Sequence, residues 1–300
     1  MLEYVTLAVA LLGTGLAGWQ DLKTSGVEDK YPVFIGVSGI LIHLINSYLT
    51  GVWLGLYHSV VVGLAFLAFG YIMYFARQWG EADVLILGAV GFLIPAPLSL
   101  FAINLPFYYY AAVFLATVFI VGGVYSVIYS FVLALRTSGF VARFSKVLNS
   151  YSSCFLNLSV VLFVISVFAV RYVQDNFYAL EDILLRQTVI IYAFFVVGFF
   201  LVVFSKTIDS FVFRREVDTS DLCDGDVLAE KIDTDDSYYS KNSKRLSGKF
   251  FVGLEMKDIE FIRKTRKKVW IKEGIPFVPT FFFSIVFMWL FGNVFSFLIF

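Results

Sequence analysis

Apolar residues run through this chain in long, nearly charge-free stretches separated by short polar breaks. A bilayer core about 30 Å thick takes roughly 20 mostly apolar residues per helix. That ruler predicts eight membrane segments, at 2–19, 31–49, 52–76, 83–101, 107–135, 156–170, 188–204 and 279–300, the sixth of them short. Gly51-Val52-Trp53 leaves so little chain between the second and third that a tight hairpin is expected there. The segment 136–155 interleaves basic and apolar residues and reads as a snorkelling loop, with an interfacial amphipathic helix as the alternative.

One region breaks the pattern. Across 205–278, short alternating stretches at 211–217, 249–256 and 259–265 surround a turn-rich polar run, and alternation of that kind predicts strands. Of the chain's 46 charges, 29 lie between Lys206 and Glu273. The whole chain is 59% apolar and 15% charged, with mean hydropathy +0.82, against about 25% charged residues in soluble domains. A purely soluble protein is excluded. The expected fold is an all-α polytopic membrane protein of six to eight transmembrane helices, with a small, partly β cytoplasmic domain before the last helix. Its expected divisions are 1–135, 136–204, 205–278 and 279–300.

Lys and Arg near the membrane set the orientation. Lys23 and Lys30, then Arg77, then Arg136, Arg143 and Lys146, then the polar region occupy alternate connections, while those at 50–51 and 102–106 hold no basic residue. The connection at 171–187 holds only Arg171 and Arg186. The richer side is assigned to the cytoplasm. The first helix lacks a basic leader and a small-residue cleavage site, so it is expected to be retained. Zero net charge gives no reason to expect nucleic acid. Cys154 and Cys223 form no CxxC pair, and His43 and His58 lie in separate predicted helices, so no metal site is expected. Phe107-Tyr108-Tyr109-Tyr110 reads as an interfacial aromatic belt. The basic run Arg263–Lys268 reads as attraction to anionic membrane lipid.

Ionisable residues at membrane depth are costly and mark functional sites. Asp21 follows the first predicted helix, and Asp83 opens the fourth. Two carboxyls held close cannot both ionise, so they share a proton and serve together as general base and general acid in peptide hydrolysis. Gly80, lacking a Cβ, would let substrate and backbone approach and tolerate unusual backbone angles. Each aspartate also has an ordinary reading, Asp83 as a helix N-cap and Asp21 as an interfacial polar residue.

Sequence around both aspartates resembles a known family. Gln20-Asp21-Leu22-Lys23-Thr24 through Val27-Glu28-Asp29 resembles the first-aspartate motif of the type IV prepilin peptidases, and Gly80-Glu81-Ala82-Asp83 is similar to their GxGD motif. The stretches 221–232 and 272–292 resemble the archaeal branch, which includes preflagellin peptidases. This resemblance implies that Asp21 and Asp83 are the catalytic pair, that Gly80 shapes the second loop, and that the catalytic membrane core is 1–135. It implies cleavage of the short basic leader from prepilin-like or pre-archaellin substrates at the cytoplasmic face of the cell membrane, without a cofactor. Glu81 and Lys23 are candidate substrate contacts, with a solvated loop side chain as the alternative for each. Val84-Leu85-Ile86 stand where many relatives carry a lysine. The four-cysteine zinc element of bacterial relatives is missing, so no methyltransferase activity is expected.

Two other readings compete. Presenilin-like or signal-peptide-peptidase-like proteases share the chemistry, but they carry a PAL motif in a later span. Ile94-Pro95-Ala96-Pro97-Leu98 imitates it only in the same span as Asp83. A non-enzymatic transporter or scaffold would place charges near mid-span or pair broken helices in two halves, and the sequence has neither.

Overall fold

A computed structural model describes residues 2–101, 106–176, 181–222, 226–229, 254, 256–272 and 274–292. Its helices are α1 (Leu2–Thr24), α2 (Lys30–Thr50), α3 (Leu54–Phe75), α4 (Glu81–Leu93), α5 (Phe107–Arg136), α6 (Phe140–Asn176), α7 (Glu181–Thr207), α8 (Met256–Thr265) and α9 (Pro279–Phe291). Strands β1 (Arg214–Asp218), β2 (Val227–Leu228) and β3 (Lys268–Lys272) complete the set. Among the described residues, six helical segments are long and apolar enough to cross a membrane: Leu2–Thr24, Lys30–Thr50, Leu54–Phe75, Tyr109–Arg136, Phe140–Ala169 and Arg186–Val212. The protein is a multi-pass, all-α membrane protein with a small partly β region.

Several predicted boundaries move. The fourth predicted span, 83–101, becomes the 13-residue α4, about 20 Å long at 1.5 Å per residue and too short to cross. It ends before Pro95, because proline disfavours helical backbone in the residue preceding it. Of the last predicted span, 279–300, the described part is the 13-residue α9, and 293–300 lie outside the described residues. The expected loop at 136–155 is helical from Phe140 onward, and the expected short sixth span is the 37-residue α6. Ruling by apolar length alone ended that helix where its serines and asparagines begin, and nothing in their backbones requires it to end there.

The chain divides into two compact units, Met1–Tyr129 with Gly274–Phe300, and Ser130–Glu273. In the first unit, α4 is the central element. It packs against α2, α3 and α1, and nine of its residues are buried. The approach is tight enough that a Cβ on Gly39 of α2 would lie 2.5 Å from the Leu93 Cα. Ending a helix among apolar neighbours leaves carbonyls without partners, and polar side chains of α2 and α3 take them. Ser59 Oγ donates to the Phe92 carbonyl at 2.6 Å, and His43 Nε2 lies 3.1 Å from the Leu93 carbonyl. Since a carbonyl only accepts, Nε2 carries the proton.

α9 packs along α1, with a Cβ on Gly18 falling 2.9 Å from the Pro279 Cα. Tyr109 is exposed but Tyr110 is fully buried against Phe101 and Phe114, so the expected aromatic belt does not hold at Tyr110. Phe107 and Tyr108 have no described side chains.

The second unit contains the α6–α7 pair, where Phe155 packs on Phe195 and Phe199 and Tyr192 Oη donates to the Ser159 carbonyl at 3.0 Å. Its sheet is antiparallel in the order β1-β3-β2, with Arg214 opposite Lys272, Glu216 opposite Trp270 and Val227 opposite Lys272. Leu222, Leu228, Leu254, Ile259, Phe261, Ile262 and Val269 form its core. The stretch 259–265, predicted as a strand, belongs to α8. Its buried Ile259 and Ile262 lie three residues apart, on one helical face. The expected strand at 249–256 lies largely outside the described residues, as does much of 221–232.

Candidate functional site

Asp21 is not beyond the first helix as predicted but inside its last turn, where its backbone carbonyl accepts the Ser25 N–H at 2.8 Å. Helical periodicity turns its side chain inward with Thr14, Ala17 and Gly18, the buried face of α1. The carboxyl is buried, at 6% exposure, and its Oδ2 accepts the backbone N–H of Val278 at 3.1 Å. Val278 is the residue before α9, so Asp21 stands at a helix N-terminus, where a negative charge is favoured.

Asp83 is likewise buried, at 8% exposure. The helix it was predicted to open begins two residues earlier, at Glu81, and Gly80 is the N-cap. Asp83 therefore occupies the third helical position and its Oδ2 reaches back to accept the Gly80 N–H at 2.9 Å. This is the backbone half of a capping box; the reciprocal half would need a side chain that glycine lacks. Gly80 has φ −79° and ψ 165°, ordinary extended geometry, so unusual backbone angles are not the reason for glycine there. A Cβ would meet only Asp83 Oδ2, at 3.5 Å.

α1 packs against α4. Neither carboxyl is hydrogen-bonded to the other; each accepts one backbone N–H through Oδ2. Each carboxyl keeps an Oδ1 without a hydrogen bond among the described residues, an oxygen able to accept a bond from water. Nothing in the sequence pointed to Val278, because a backbone donor has no side-chain signature. Trp79 was also missed. It is buried between Phe69, Phe119, Phe277 and Phe281, at ring-centre distances of 5.6 to 6.1 Å, and pins the turn that carries Gly80.

The remaining candidates lie at the rim. Glu81 and Lys23 are exposed, with Lys23 Nζ 4.7 Å from the centre of the Trp19 ring. Gln20 clasps Glu28 by donating from Nε2 to Oε1 at 2.9 Å and accepting its N–H at 3.3 Å. Lys30, 2.6 Å from Glu28, holds that carboxyl below its usual range.

In the second unit, Arg263 donates from Nε to the Thr219 carbonyl and from Nη2 to those of Ser220 and Leu222. That guanidinium secures the chain at 219–222. Among the described residues no three His, Cys, Asp or Glu side chains gather as a metal site would require. Comparison with protein-family models, curated proteins and solved structures gives no match.

Proposed function

We propose that this chain is a membrane aspartic endopeptidase of the prepilin peptidase type, archaeal branch. It removes the short basic leader from prepilin-like or pre-archaellin subunits at the cytoplasmic face of the cell membrane. One observation carries the reading: Asp21 and Asp83 are buried carboxyls on two helices, α1 and α4, that pack against each other. Burying even one such group is costly, and fold stability explains only part of it, since each carboxyl uses a single oxygen in a hydrogen bond to one backbone N–H.

In the proposed reaction the pair holds one proton and titrates as a unit. The ionised member takes a proton from water as the water oxygen bonds to the scissile carbonyl carbon. The protonated member gives its proton to the carbonyl oxygen. As the tetrahedral intermediate collapses, the C–N bond breaks and the first member gives its newly gained proton to the leaving amine. An intermediate hydroxyl returns a proton to the second member as C=O re-forms, restoring the singly protonated pair. The N–H groups of Val278 and Gly80 fix both carboxyls without competing for the oxygens that face the reaction. Glu81, exposed at the start of α4, offers a negative charge to a basic leader.

The test is cleavage, in detergent, of a prepilin-like substrate with a basic leader and glycine at the cut. Wild type is expected to cleave, and Asp21→Asn and Asp83→Asn are each expected to lose at least about 10³-fold in rate while remaining folded. Equal cleavage by all three proteins overturns the proposal.

A further inference from the structure

Tyr125 of α5 carries a buried hydroxyl with no hydrogen-bond partner among the described residues. Such a group is costly to keep, because it has lost water and gained nothing in return. Phenylalanine would fill the same space at no such cost, and the chain uses it freely here. The Tyr125 ring lies 6.0 Å from the ring of Phe283 and 5.9 Å from that of Tyr129, and the ring of Phe277 would come within 2.8 Å of a Cβ on Gly122. The hydroxyl therefore calls for a reason beyond packing.

Its surroundings supply one. The Tyr125 ring packs on Phe283 of α9, the helix whose N-terminus holds the Asp21 carboxyl. On α9, the helix whose leading residue Val278 donates to Asp21, Thr280 also has a buried hydroxyl without a partner. A Cβ on Gly122, one turn before Tyr125, would lie 2.9 Å from the Thr280 Cγ2, so α5 and α9 meet at this point. Tyr110 has an equally unpartnered hydroxyl among the described residues, but it stands fifteen residues earlier on α5 with its ring against Phe101 and Phe114, which sets Tyr125 apart.

We infer that Tyr125 is a further active-site residue, whose hydroxyl donates a hydrogen bond to the attacking water and holds it beside Asp21. The inference rests on the aspartic-protease reading. Tyrosine suits the task, since its oxygen both donates and accepts and its ring is held rigidly by packing. The hydroxyl transfers no proton; it orients the water so that a lone pair faces the scissile carbonyl while Asp21 or Asp83 receives the proton. A group acting on the attacking water changes turnover, not substrate capture.

The experiment measures kcat and KM for wild type, Y125F and Y129F on the basic-leader substrate, with thermal unfolding of each. Y125F is expected to lower kcat roughly 10- to 100-fold with KM unchanged, and Y129F to keep wild-type kcat. A folded Y125F with wild-type kcat overturns the inference while wild-type cleavage leaves the protease reading standing. Failure of wild type to cleave overturns that reading and this inference with it. A raised KM with unchanged kcat also overturns it, in favour of a substrate contact. Should Y125F not fold, 3-fluorotyrosine at 125 keeps ring and hydroxyl and makes the hydroxyl a stronger donor. An altered kcat at 125 and not at 129 is then expected, and equal effects at both positions overturn the inference.

Discussion

Gly80 shows how a residue expected for one reason is found in place for another. Its backbone is ordinary and a Cβ there meets nothing closer than 3.5 Å, so Gly80→Ala is expected to fold, with a stability loss below about 1 kcal/mol from the weaker N-cap. If glycine serves the approach of substrate, the same variant loses cleavage by up to about 100-fold. Melting temperature and kcat/KM measured together separate the two effects, and wild-type cleavage by the variant removes the functional reason for this glycine. Arg263 makes the opposite case, a basic residue read from sequence as membrane-seeking and found holding three carbonyls. Arg263→Ala is expected to cost about 1–3 kcal/mol and to open 219–222 to limited proteolysis. Arg263→Lys recovers little, lacking the guanidinium fork.

At the scale of elements, α4 depends on close approach and on borrowed hydrogen bonds. A methyl on Gly39 would collide with backbone at Leu93, so Gly39→Ala is expected to destabilise the protein by about 1–3 kcal/mol through overpacking. Ser59→Ala, which leaves the Phe92 carbonyl without its donor, is expected to cost a similar amount, about 1–3 kcal/mol. Thermal unfolding in detergent measures both, and unchanged melting in either variant counts against this account of α4. The existence of the helix was legible in its apolar run, and its start two residues before Asp83 was nearly so. Its end was legible too, in Pro95 and Pro97, but a ruler of apolar length passes over prolines. What no sequence pattern carried was the set of partners. Ser59, His43 and Val278 lie 33, 50 and 257 residues from the groups they bond, and only folding brings them there.

For the whole molecule, the six helices among the described residues that are long and apolar enough to cross a membrane fall within the predicted six to eight, because composition decides that number almost alone. The side of the membrane on which the aspartates sit is a separate matter, and it decides whether a cytoplasmic leader can reach them. Asp21 lies in the last turn of α1, and Asp83 three residues after Gly80, so both stand at the end of the first unit that carries the 25–29 and 76–80 turns. The α2–α3 connection, where Gly51 takes φ 71°, lies at the other ends of those helices. Lys23, Lys30 and Arg77 flank the aspartate end, and the stretch 50–53 holds no basic residue, so the proposal that the aspartates face the cytoplasm rests on the positive-inside rule. With Cys154 and Cys223 replaced by serine, single cysteines at the exposed positions Gln78 and Thr50 report the two sides. A thiol reagent that cannot cross membranes is expected to label Thr50→Cys on intact cells and Gln78→Cys only after permeabilisation. The reverse pattern would place the carboxyls outside the cell, where no cytoplasmic leader arrives, and the proposed substrate class would fall even if peptide cleavage stood.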